Sequence, residues 1–123
     1  MNVDDPFAPD SRSVEQIAAD WVKASTAETG DIALFDLVRD KPDVAWLVVL
    51  EILKQPLTPE QTADLAAGPL EDQLVHHGPA FVDRVEETAR ADAKFKHLLN
   101  GVWNGRMPKP IRRRLEPWQD ARW

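Results

Sequence analysis

Apolar residues recur at helical spacing along nearly the whole chain, and they crowd most densely in residues 42–53, PDVAWLVVLEIL. Each helical residue advances by about 100°. Val44, Ala45, Trp46, Val48, Val49, Leu50, Ile52 and Leu53 therefore sweep round most of the circumference, leaving Asp43, Glu51 and Lys54 on a narrow polar strip. A helix apolar nearly all round is a buried one, and this one is too short to cross a bilayer. It is predicted to be the central core helix, opened by Pro42 and closed by Pro56.

The flanking segments read as amphipathic helices. Ser13 followed by Gln16 is a capping-box pattern, and Val14, Ile17, Ala18, Trp21 and Val22 follow at stripe spacing. Gly30 ends that segment. Asp31 can cap a short helix through Ile32, Leu34, Phe35, Leu37 and Val38, stopping near Lys41 because Pro42 follows. Thr58 with Gln61 repeats the capping box and predicts a helix to Ala67. Gly68-Pro69 and Gly78-Pro79 are each expected to end one helix at glycine and start another at proline. Asp92 can cap a further helix carrying Phe95, Leu98, Leu99, Val102 and Trp103, ended by Asn104-Gly105. No alternating β-branched run with hairpin turn residues occurs. The expected fold is all-α, a compact bundle or short α-solenoid-like stack of about seven or eight short helices.

Composition narrows the chemistry. At 123 residues the chain makes one domain of common size. Without cysteine it has no disulfide, thiolate zinc site or thiol nucleophile. The expected organisation is a mobile arm over residues 1–12, broken by Pro6 and Pro9 and kept wet by acids, with Phe7 able to pin it; a helical domain over 13–105; and a tail over 106–123. The acidic start lacks the basic residues and apolar run of a signal peptide. A cytoplasmic location is the expectation, with no membrane contact.

At AAGPLEDQLVHHG the chain resembles a family of uncharacterised bacterial domains marked by Gly68, Pro69, Leu70, Glu71 and Asp72, then His77 and Gly78. The likeness takes in Pro42 and Trp46 upstream, and Val85, Glu86, Ala89, Phe95, Leu98, Leu99, Val102 and Trp103 downstream, roughly residues 30–105. It implies one helical domain in a small cytosolic bacterial protein and implies no activity.

Glu71 and Asp72 fall in a first helical turn, where carboxylates complement the helix dipole. Paired acids also serve acid–base catalysis when their environments drive their pKa values apart. Asp72 and His76 are four residues apart, the spacing of metal ligands on a helix face, with His77, Asp83, Glu86 and Glu87 nearby. A histidine in a last turn can equally bond the final carbonyls, so His76 and His77 are weak metal candidates and no cofactor is expected. Glu51 is expected half-exposed beside Lys54. Trp21, Trp46 and Trp103 are expected as core anchors, while Trp118 and Trp123 belong to the tail.

Charge divides unevenly. Residues 106–123 hold six basic residues, Arg106, Lys109, Arg112, Arg113, Arg114 and Arg122, against Glu116 and Asp120, leaving −10 on residues 1–105 of a chain whose net charge is −6. The tail is expected to fold back on the acidic body, with Ile111, Leu115 and Trp118 inward; the alternative is a basic arm for an anionic partner. Candidate binding residues are Arg112, Arg113, Arg114, Trp118, Glu71 and Asp72. The expected function is a non-enzymatic protein-interaction module, monomeric or homodimeric. It could mask a basic partner as an immunity or inhibitor protein does, since acidic surfaces steer association with basic ones. The alternatives are an enzyme or metal-binding protein built on Glu71, Asp72, His76 and His77, and nucleic-acid binding through the tail, which the net acidity disfavours.

Overall fold

The computed structural model describes residues 12–24 and 33–120. The arm with Phe7, the Gly30-Asp31 junction with Ile32, and the terminal Arg122 and Trp123 lie outside the described residues. Among the described residues seven α-helices follow one another: α1 (Val14–Ala24), α2 (Ala33–Asp40), α3 (Pro42–Leu53), α4 (Pro59–Leu65), α5 (Glu71–Ala91), α6 (Ala93–Leu99) and α7 (Lys109–Leu115). A π-helical turn, Ala66–Leu70, joins α4 to α5, and a 3-10 turn, Glu116–Trp118, follows α7. No strand occurs among the described residues. The fold is the all-α bundle that the periodicity predicts.

The centre is α3, with α1, α2 and α5 packed round it. Ala45, Trp46, Val48, Val49, Ile52 and Leu53 are buried along it. Trp46 reaches Phe81 of α5 and Phe95 of α6 at ring-centroid distances of 5.9 and 5.6 Å, the spacing at which aromatic pairs add to area burial. Glu51 is the half-buried partner of Lys54 at 3.0 Å, as expected.

Caps form where the sequence places them. Thr58 and Gln61 make a complete capping box, and the Asp92 carboxylate accepts from the backbone N–H groups of Lys94 and Phe95. At α1 half of the box forms. Ser13 Oγ accepts from the Gln16 N–H, while the Gln16 side chain turns forward to Asp20.

The two Gly-Pro junctions differ, and the first does not divide helices as expected. Gly68 keeps an ordinary backbone conformation rather than the left-handed one of a terminating glycine, and Pro69 lies inside the π turn. Proline has no N–H for the α ladder, and a π turn is one way of passing such a residue without ending the helix. At Gly78-Pro79 the expected break is present: the backbone leaves helical geometry at His77 (φ −132°, ψ 24°), and two helical stretches meet there at a kink within α5.

That kink serves the corner between α2 and α3. The Val38 carbonyl would receive the N–H of residue 42 in a continuing helix, but Pro42 has none. His77 Nε2–H supplies the bond at 2.7 Å. One turn earlier on α5, Gln73 Nε2 donates to the Pro42 carbonyl at 2.9 Å. Two side chains of one helix thus fasten two others. His77 does bond a terminal carbonyl, but that of another helix.

One aromatic expectation is corrected. Helix α6 stops at Leu99, earlier than the apolar stripe suggests, and the chain turns at Asn100 and Gly101. Val102 still enters the core, but Trp103, freed from the stripe, is 70% exposed. Phe35 lies on the solvent side of α2 and is 60% exposed, while Leu34, Leu37 and Val38 are buried.

Candidate functional site

The first turn of α5 is where polar chemistry concentrates. Glu71 is buried, with 6% of its surface exposed, and a buried carboxylate needs donors. It has three: the Trp103 backbone N–H at 3.3 Å, Arg106 Nε at 3.1 Å and Arg106 Nη2 at 2.6 Å. Arg106 Nη2 also donates to Asp72 at 3.0 Å. The Glu71 carboxylate, followed by Asp72, holds the Arg106 guanidinium above its ordinary pKa. The acids singled out in the sequence are therefore brought together, but Arg106, absent from the candidate set, organises them.

Beside this cluster a cleft of about 340 Å³ opens between α2 and α5, lined by Phe35, Val38, Arg39, Asp72, His76 and His77. Asp72 belongs to both features, so the cleft borders the ion cluster, whose Glu71 also accepts from the Trp103 backbone. His76 is exposed; His77 is engaged with Val38. Arg39 pairs with Asp36 and Asp40 at 3.1 Å each. Among the described residues no group of three or more His, Asp or Glu is arranged to hold a metal ion, and the geometry keeps Asp83 and Glu86 with Arg114 instead.

The tail candidates lie elsewhere. Arg114 Nη2 reaches Asp83 and Glu86 at 2.5 Å each. That contact raises the arginine's pKa and holds the Glu86 carboxyl below its ordinary range, Arg114 being the largest cause. Trp118 is half-buried with the Arg90 guanidinium 5.5 Å from its ring centre. Ile111 and Leu115 are buried. Arg112 is half-buried and Arg113 exposed. Of the named basic candidates, Arg114 is committed to the body of its own molecule.

Sequence reasoning missed Gln119. Its buried amide donates to the Leu99 and Val102 carbonyls at 2.9 and 2.7 Å, and its Oε1 accepts from Asn104 Nδ2 at 2.7 Å. It closes the end of α6 from the far side of the tail. A glutamine on a polar stretch gives no sign of this in periodicity.

Within residues 106–120, then, Ile111 and Leu115 are buried, Arg106 and Arg114 pair with α5, and Gln119 bonds the end of α6. Residues 15–123 match the model of a family of unknown function, DUF6869. The chain belongs to DUF6869. The match runs to the last residue, so the family unit takes in the tail, beyond the stretch over which the motif resemblance was drawn. Neither curated proteins nor solved structures gave a match. Among the described residues no helix is long and apolar enough to cross a membrane.

Proposed function

We propose that this DUF6869 protein is a non-enzymatic protein-binding module whose binding face runs from Phe35, across the cleft at Asp72 and His76, to Trp103. The observation carrying the reading is the exposure of Phe35 and Trp103, which with Leu47 are the large apolar side chains left exposed among the described residues. Aromatic and arginine side chains supply most hot spots in protein interfaces. Here Phe35 lines its cleft together with Arg39, and the Trp103 backbone shares the Glu71 carboxylate with Arg106. The Trp103 backbone is fixed by the buried Glu71, which reduces the ordering cost paid on binding.

A basic partner suits the net charge of −6, as in an inhibitor or immunity protein working in a bacterial cytoplasm. The catalytic and metal alternative gains little support, because Glu71, Asp72 and His77 are engaged by Arg106 and Val38. Nucleic-acid binding through the tail gains little either, because Arg106 and Arg114 are neutralised by the body.

The test is a Phe35→Ser/Trp103→Ser variant compared with the native protein as bait in source lysate, with captured proteins quantified and the enriched one titrated. Both positions are exposed, so melting temperature should hold. Affinity should fall roughly 30-fold or more, as for hot-spot residues. Undiminished binding by the folded variant would overturn the assignment of this face.

A further inference from the structure

A second cleft, of about 370 Å³, lies where the C-terminal end of α3 meets α4 and α6, away from the face described above. Leu53, Leu57 and Pro59 give it an apolar wall, and Thr62, Lys94 and His97 complete the lining. Lys94 is the chemically informative member. Its ammonium donates to the Leu53 carbonyl and, at 3.0 Å, to the Gln55 carbonyl, so the end of α3 holds it in place. An ammonium has three N–H donors, and these two bonds leave one for a ligand. The cleft thus offers a positioned cation beside an apolar wall.

Two considerations restrict what fits. A volume near the lower end of ligand pockets suits one small molecule rather than a length of peptide. The carbonyl end of α3 carries partial negative charge, which Lys94 offsets and which opposes any ligand bearing more than one negative charge. We propose that this cleft binds a small amphiphilic monocarboxylate, its apolar body against Leu53, Leu57 and Pro59 and its carboxylate accepting from Lys94 Nζ. The site is independent of the protein-binding face.

The probe is sodium octanoate titrated into the full chain and followed by amide NMR shifts. Saturable shifts are expected at residues 53–62 and 94–97. Octanamide, which keeps the chain and loses the charge, should bind at least about tenfold more weakly, the worth of one charge-assisted hydrogen bond. Lys94→Met should weaken octanoate to the same degree. Because Lys94 also closes α3, Thr62→Phe serves as a second variant that fills the cleft without touching the cation, and it should abolish binding while the spectrum stays dispersed. Octyl phosphate should bind more weakly than octanoate, and so should a short peptide ending in leucine with a free carboxylate. The proposal is overturned if octanoate shifts scatter over the surface or fail to saturate, if octanamide matches octanoate, if Thr62→Phe leaves binding intact, or if the peptide or phosphate binds best.

Discussion

Gly78 and Ile111 are in contact so close that a Cβ on residue 78 would stand 2.8 Å from Ile111 Cγ1 and 3.1 Å from Cγ2. The glycine is a notch in α5 into which α7 seats. Ile111 is β-branched and stiff at χ1, so it cannot swing aside as a long side chain would. Gly78→Ala should therefore destabilise the domain by about 1–3 kcal/mol through overpacking, less up to about 1 kcal/mol returned by alanine's helix preference. The sharper expectation is in the pair. In an Ile111→Ala background the same substitution should be neutral or stabilising, a coupling that chemical denaturation of the four proteins measures. Additive effects would show that α7 does not seat on Gly78.

Glu71 and Asp72 should respond unequally to removal of charge, although the sequence treats them alike. Glu71 is buried and accepts three hydrogen bonds; Asp72 keeps one bond to Arg106. Glu71→Gln should cost about 1–3 kcal/mol, the range for hydrogen bonds to a charged group, whereas Asp72→Asn should cost under about 1 kcal/mol, as for pairs with an exposed partner. A dipole role alone would give two small, equal losses. Hydrogen exchange adds a local check, because the Trp103 amide should lose protection in Glu71→Gln and keep it in Asp72→Asn.

The helices were legible because their signals are local. The run PDVAWLVVLEIL gives the central helix with its buried residues, and Thr58, Gln61 and Asp92 mark helix starts within three residues of their effect. What joins the helices was not legible. Arg106 and Glu71 are 35 positions apart, His77 and Val38 39 apart, and Gln119 and Leu99 20 apart. Neither hydrophobic period nor capping rules carry information over such distances. Trp103 shows the same limit from the other side: its position fits the apolar stripe of α6, yet the helix ends four residues before it. Periodicity thus places in the core an aromatic that the structure leaves exposed.

Acid should loosen the contact between α5 and the tail. The Arg114 guanidinium keeps the folded Glu86 carboxyl below its ordinary 4.5, so folding favours the ionised form. That contribution is fully present above about pH 4.5 and is lost as pH falls through the lower folded value. The difference in melting temperature between the native protein and Arg114→Gln should accordingly be constant near neutrality and shrink as pH falls below 4.5. A difference that grows on acidification would contradict the pairing.

Removal of residues 106–123 tests whether the tail is part of the fold or an arm carried by it. Ile111 and Leu115 are buried, and burial of such side chains is worth about 1.5–3 kcal/mol each. Loss of Gln119 would strip the Leu99 and Val102 carbonyls of their donor, at about 1–3 kcal/mol for a buried group left unpaired. Together these approach the whole stability of an ordinary domain, about 5–15 kcal/mol. The truncated chain should therefore be largely unfolded by circular dichroism, and Gln119→Leu alone should lower stability by about 1–3 kcal/mol while retaining the tail. Both losses should change little with salt, because buried contacts are screened far less than surface charges. A truncated chain with native melting temperature that had lost a salt-sensitive interaction with an anionic partner would instead make the tail a binding arm, and the ion pairs of Arg106 and Arg114 incidental to the fold.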